Sequence, residues 1–213
     1  MFTSNQMQSL IIASLVIATI PTLLCVATCY LKISIVLGII KSALGTNSTP
    51  GVMITSALSL LLTIYVMKPV FIQSYDIYVN SKQKNWDLIK DESARNEAVK
   101  VIKPFADFFE KHSGVLEKKF FANLNSNNES HQQPSIFTTL PAFTLTELRE
   151  AFQMSCFLLL PFLVVDLLVA TLLGGMGLYM VSPISIALPL KLLLFVASDC
   201  WLVLSKGLIL SYQ

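Results

Sequence analysis

Residues 170–191 read ATLLGGMGLYMVSPISIALPLK, a stretch apolar enough for a lipid bilayer but interrupted by three glycines, two prolines and Lys191. Glycine and proline punctuate regular structure, and here they predict a turn between two apolar helices. A charge at the centre of a bilayer costs about 2.5 to 3.5 kcal/mol on insertion scales. The stretch therefore predicts the tip of a helical hairpin that packs mainly on protein and only partly on lipid.

The composition of the whole chain indicates a membrane protein. Hydrophobic residues make up 54% of the 213 residues, and the mean hydropathy is +0.67. Most of the 15 basic and 13 acidic residues lie between positions 68 and 150, where the two signs balance. The six charged residues outside that region are Lys32, Lys41, Asp166, Lys191, Asp199 and Lys206. No basic run carries interleaved aromatic residues, so nucleic acid is not an expected partner.

This distribution predicts an all-α, membrane-associated oligomer with three segments. Two interrupted hydrophobic helical hairpins, residues 1–69 and 140–213, flank a polar and mostly helical insert at 70–139, which we expect to be periplasmic. The first 31 residues lack the positive charge of a secretory signal, so the N-terminus is expected to be retained.

Helix boundaries follow from prolines and capping residues. Pro104 is expected to separate two amphipathic helices of the insert, and Phe105 is one of their apolar positions. Pro141 is expected to stop the preceding segment, and Thr144 with Glu147 fits a capping box at the start of a long apolar helix.

Four charges lie in the apolar segments, and each needs a protein partner or water. We predict them to be buried at subunit interfaces, with Asp166 and Lys191 as a candidate ion pair; the full set is Lys32, Asp166, Lys191 and Asp199. The glycines of the opening stretch permit close backbone approach between helices; they are Gly174, Gly175 and Gly177. No catalytic constellation is evident, and no cofactor or metal is expected, because the four cysteines lie in apolar segments and both histidines lie in the insert.

Several blocks of the chain resemble a known family. They include TCYLKISIVLGIIKSALGTNSTP at 28–50, LPAFTLTELREAFQ at 140–153, LPFLVVDLLVA at 160–170, SPISIALPLKLLLFVASDCW at 182–201 and SKGLILSY at 205–212. In order, they are similar to the core export-apparatus protein of bacterial type III secretion systems, the SctR family, whose flagellar relative is FliP. The resemblance covers nearly the whole chain outside the insert.

The resemblance implies a non-enzymatic subunit of an export gate. Five copies are expected to assemble with SctS-like and SctT-like proteins, and with SctU-like and SctV-like proteins nearby, into a channel for unfolded secreted proteins. The channel would sit in the bacterial inner membrane and rise into the periplasm. The family closes its pore with a methionine-rich loop, which corresponds here to Leu178, Tyr179, Met180 and Val181, so only Met180 keeps that character.

Two other classes of function compete with the export gate. A small-solute transporter or channel subunit also has broken helices and intramembrane charges, but the two halves of this chain show no shared register. An intramembrane enzyme needs a catalytic constellation that the sequence does not show. Between a virulence injectisome and a flagellar system, the sequence favours the injectisome.

Overall fold

The computed structural model describes residues 10–12, 14–15, 17–19, 22, 25–45, 49–81, 92–125 and 136–213. The described residues form helices joined by turns, with no strand among them, which confirms the all-α prediction. Seven helices have defined bounds: α1 (Tyr30–Ala43), α2 (Thr49–Ser81), α3 (Glu92–His112), α4 (Val115–Asn125), α5 (Ile136–Gly175), α6 (Pro183–Ala197) and α7 (Cys200–Leu210). The described residues between Leu10 and Thr19 are helical as well.

Among the described residues, two helices are long and apolar enough to cross a membrane. These spans are Gly51–Asn80 within α2 and Thr138–Gly175 within α5. Helices α6 and α7 qualify together as a third span, although they bend by 62° at Ser198 and Asp199. The break between them lies where Asp199 adopts a left-handed conformation with φ 46°.

Pro104 and Pro141 do not end helices, contrary to the prediction from the sequence. Pro104 lies inside α3, and α5 begins at Ile136, so that Pro141 lies within its second turn. A proline removes one backbone hydrogen bond, and packing of its neighbours can offset that loss: Ala142 and Phe143 are 0% and 1% exposed. The predicted capping box is also wrong, because Thr144 Oγ1 donates to the carbonyl oxygen of Leu140, 2.9 Å away, inside an established helix.

The chain folds into two compact units, residues 1–31 with 69–146 and residues 32–68 with 147–213. In the first, the apolar face predicted for α3 is packed: the rings of Phe71 and Phe105 are 5.6 Å apart, and those of Phe109 and Phe143 are 5.0 Å apart. These units follow packing, whereas the three segments proposed above follow hydropathy. The segment boundaries stay a prediction.

In the second unit, residues on either side of the turn at 176–182 pack together. Val169 and Leu173 of α5 form a buried cluster with Ala187 of α6, and the ring of Phe195 lies 6.4 Å from that of Phe162. This packing holds the ends of α5 and α6 together and presents the turn between them.

Small hydroxyl residues line one buried stripe of α2. Thr55, Ser59 and Thr63 are 9%, 1% and 6% exposed. Ser59 Oγ donates to the carbonyl oxygen of Thr55 at 2.8 Å, and Thr63 Oγ1 to that of Ser59 at 2.7 Å. Each hydroxyl finds an acceptor one turn earlier in the same helix, and this hydrogen bond satisfies its donor where the side chain is buried.

Candidate functional site

The second unit contains two charge clusters and the apolar turn, and the first cluster centres on Lys32. This side chain is 1% exposed. Its Nζ lies 2.6 Å from Glu150 Oε2, 3.6 Å from Glu147 Oε1 and 4.3 Å from the centre of the Tyr212 ring. The buried cation is therefore neutralised within its own chain by two carboxylates and an aromatic face.

The C-terminal residues complete this cluster. Glu147 is 1% exposed, and its second oxygen accepts a hydrogen bond from the Tyr212 hydroxyl. The Ser211 hydroxyl lies 3.4 Å from Lys32 Nζ. The cluster thus ties α1, α5 and the residues after α7 into one polar core.

Sequence reasoning found Lys32 but missed its partners. Glu147 was assigned to a helix cap, and Glu150 and Tyr212 were not singled out. One signal was present: Glu147 and Glu150 are three residues apart, a spacing that places two side chains on one helix face. No sequence signal connected Tyr212 to them, because that contact spans 65 residues.

The second cluster joins Asp166 of α5 to Lys191 of α6. Lys191 Nζ lies 2.6 Å from Asp166 Oδ2 and 3.2 Å from the carbonyl oxygen of Ala43, the last residue of α1. The Lys191 side chain is 13% exposed and that of Asp166 is 43% exposed. The two residues named as an ion-pair candidate do meet, but within one chain; their placement at a subunit interface stays a prediction.

We expect Asp166→Ala to destabilise this cluster, because Lys191 then keeps only the Ala43 carbonyl. A hydrogen bond to a charged group contributes about 1.5 to 3 kcal/mol. The thermal unfolding midpoint in detergent micelles measures the loss. Asp107→Ala removes an exposed carboxylate of α3 and serves as the control; an exposed change of this kind shifts stability by no more than about 0.5 kcal/mol. If both variants unfold at the same temperature as the parent, the Asp166 pair has no stabilising role.

The turn between α5 and α6 is built around Gly177. Its φ is 71°, its N–H donates to the carbonyl oxygen of Gly174, and the N–H of Leu178 donates to that of Leu173. This pair of hydrogen bonds is the Schellman motif, which ends a helix at a left-handed residue. Pro183 then occupies the first position of α6, where its missing N–H costs nothing.

The turn presents apolar side chains outward. The exposed fractions are 45% for Leu178, 85% for Tyr179, 100% for Met180 and 39% for Val181. A Cβ added at Gly174 or Gly175 would meet no atom of the described residues within 4 Å. The described part of the chain therefore leaves space beside these two glycines.

The three glycines have different expected sensitivities. Gly177→Ala forces a side chain into the left-handed region, which costs about 1 to 2 kcal/mol. In Gly175→Ala the new methyl group enters open space. Alanine is more favourable than glycine in a helix by up to about 1 kcal/mol, so this variant should be at least as stable as the parent. Thermal unfolding of the two variants in micelles compares them directly. Equal unfolding midpoints would contradict the Schellman assignment.

The last predicted charge, Asp199, lies at the break between α6 and α7 and is exposed. Its carbonyl oxygen accepts from the N–H groups of Leu202 and Val203, but its carboxylate forms no cap hydrogen bond. Among the described residues, no group of three or more metal-ligating side chains is present.

The chain is similar to known proteins over most of its length. The sequence profile of the FliP family matches residues 12–208. The surface presentation of antigens protein SpaP of Shigella flexneri is 36% identical over 91% of this chain and 90% of its own length. The Yop proteins translocation protein R of Yersinia pestis is 34% identical over 96% and 95%, respectively. The hypersensitivity response secretion protein HrcR of Ralstonia nicotianae is 34% identical over 96% and 97%.

Proposed function

The chain belongs to the FliP family, and from that membership we propose that it forms the export gate of a bacterial type III secretion system with other copies of itself. It is a membrane-embedded protein-transport component of the export apparatus and not an enzyme. Five copies would combine with SctS-like and SctT-like proteins into a channel in the inner membrane that rises into the periplasm. SctU-like and SctV-like proteins would lie next to it.

One observation carries this proposal: the match extends from residue 12 to residue 208 and so includes the charged residues of both clusters and the exposed turn. The relatives are named for presentation of antigens, translocation of Yop proteins and secretion in a hypersensitivity response. Those names favour a virulence injectisome over a flagellar system. Unfolded secreted proteins are the proposed cargo.

The fold is suited to such an assembly. The apolar helices are interrupted by charges that the chain neutralises internally, at Lys32 and at Lys191. Many side chains remain exposed and apolar on the spans, for example Leu61 at 65% and Phe157 at 75%. These surfaces are available to lipid and to neighbouring subunits. Two interrupted hairpins, the first around the turn at Gly45 and the second around Gly177, would pack side by side in the ring.

The turn at 176–182 would close the channel. Leu178, Tyr179, Met180 and Val181 from each copy would converge on the axis, and a narrow apolar ring holds no stable water column. Gly174 and Gly175 would then leave room for neighbouring copies at the narrowest point. Asp199 is proposed to find its partner in the assembly as well.

Deletion and complementation test the function. Cells that lack the gene are expected to lose secretion of type III substrates and to regain it when the gene is restored. Native mass spectrometry of the complex, purified in mild detergent with the SctS-like and SctT-like proteins, should show five copies of the 23.6 kDa chain. Normal secretion by the deletion strain would overturn the function, and a different copy number would overturn the pentamer.

The topology of the insert gives a separate prediction. Lys41 beside the first turn favours the cytoplasmic side, so the insert is expected in the periplasm. In a background that lacks the four native cysteines, Ala122→Cys on α4 should react with a membrane-impermeant maleimide in intact spheroplasts. Ser42→Cys, also exposed, should react only after lysis. The reverse pattern would contradict the topology.

A further inference from the structure

Helix α7 presents an apolar face with two opposite charges. Asp199, which directly precedes the helix, and Lys206 are both exposed. They are seven residues apart, about 10 Å along the helix axis. Leu202 and Val203, 71% and 57% exposed, lie four and three residues before Lys206 and so share its side of the helix. Within the described part of the chain, neither charge has an ion-pair partner.

An apolar groove borders this face. Phe157 of α5, with Val203 and Gly207 of α7, contributes to its lining, and its volume is about 280 Å³. Phe157 is 75% exposed, and a Cβ at Gly207 would meet no atom within 4 Å. The groove is therefore open at Gly207 and can admit side chains from outside the chain.

Lipid alone is a poor occupant of this surface. A carboxylate in hydrocarbon costs about 2.5 to 3.5 kcal/mol on insertion scales. Because Asp199 lies at the start of α7, the helix dipole stabilises its charged carboxylate, but only by about 0.3 to 1 kcal/mol. The side chain of Asp199 is also too short to extend far along an apolar surface, in contrast to that of Lys206. If α6 and α7 form the third span, the charge at the break between them needs a cation in contact with it.

We propose that the α7 face docks an apolar helix of a partner chain that carries a basic and an acidic residue about two turns apart. The basic residue would pair with Asp199 and the acidic residue with Lys206, while apolar side chains enter the groove at Gly207. The assignment rests on the proposed function, which supplies small hydrophobic membrane proteins as partners. A second copy of this chain fits less well, because two α7 helices are complementary only when antiparallel, and copies inserted with one topology run parallel.

Charge reversal tests the face. The tagged chain is expressed with the SctS-like and SctT-like proteins, and the fraction in the complex is measured on blue native gels. We expect Asp199→Lys to lower the ratio of assembled to free chain at least tenfold, about 1.4 kcal/mol. Lys119→Glu, a reversal of an exposed charge on α4, should leave that ratio unchanged. Reversing the matching basic residue of the partner should restore assembly with Asp199→Lys.

Two further variants separate the carboxylate from its backbone. Asp199 has a φ of 46°, and both glycine and asparagine adopt that conformation readily. Asp199→Gly and Asp199→Asn therefore keep the break between α6 and α7 but remove the charge. Both are expected to lower assembly, although less than Asp199→Lys does. Full assembly of both variants would overturn the proposed ion pair.

The remaining outcomes identify the occupant. A photo-crosslinking residue at Val203 should form an adduct with the tagged SctS-like or SctT-like chain; adducts with lipid or with another copy alone would overturn the proposal. The double variant Asp199→Lys with Lys206→Asp should restore assembly only if two α7 helices pair in antiparallel orientation. Restored assembly in this double variant would therefore also overturn the proposal. If the parent chain fails to assemble with either protein, the proposed function fails. If the parent and Asp199→Lys assemble equally, only the docking face fails.

Discussion

Lys32→Met is expected to lower the free energy of unfolding by about 3 to 5 kcal/mol, the cost of breaking a buried ion pair by removing one partner. The Glu147 carboxylate, 1% exposed, would lose its cation and keep only the Tyr212 hydroxyl. Glu150 would suffer less, because 42% of its side chain is exposed. Unfolding with increasing dodecyl sulfate in mixed micelles measures the loss, and membrane levels of the protein should fall with it.

A second substitution distinguishes charge from packing. Adding Glu147→Gln to Lys32→Met removes the orphaned charge, and most of the lost stability should return because an apolar or neutral replacement of a buried pair is often tolerated. Lys206→Met removes an exposed cation and should change stability by no more than about 0.5 kcal/mol. If the double variant is as unstable as Lys32→Met, the loss comes from packing of the lysine stem and not from the charge.

Replacing Leu178, Tyr179 and Met180 together with alanine is expected to open the proposed channel. In the chain these side chains face outward and contribute little to its own packing, since Met180 is 100% exposed and Tyr179 is 85% exposed. Assembly should therefore survive, while the ring at the axis widens and admits water. Single-channel conductance in planar bilayers should rise from none to a steady open level, and cells should become sensitive to small solutes.

The matched control removes three exposed apolar side chains elsewhere. Leu116, Phe120 and Leu124 of α4 are 70%, 57% and 62% exposed, and their replacement by alanine should leave the membrane impermeable. Normal impermeability of the turn variant, with the complex present, would place the seal elsewhere in the assembly. Leakage in both variants would mean that any loss of exposed apolar surface disturbs the complex.

Local sequence patterns predicted some features of this chain well and others poorly. The turn near Gly177 was predictable, because glycine permits left-handed backbone angles and proline favours a helix start, and both are local properties of the chain. The helix boundaries at Pro104 and Pro141 were not, because a proline costs one local hydrogen bond and the packing of distant residues decides whether the helix continues. The spacing of Thr144 and Glu147 was misleading for a related reason. A threonine and a glutamate three residues apart fit a helix cap, but here Thr144 lies inside the helix and Glu147 contacts the buried Lys32.

The sequence by itself determined the all-helical class, the apolar segments that cross the membrane and the four charges that need partners inside them. Hydropathy and helical periodicity are properties of neighbouring residues, so they can be read without a fold. Only the tertiary structure decided which groups meet. Lys32 pairs with carboxylates more than a hundred residues away and is covered by Tyr212, the candidate pair of Asp166 and Lys191 meets within one chain, and Asp199 is left exposed. A buried charge takes whichever opposite charge the packing of the helices brings within reach, and spacing along the chain does not specify that choice.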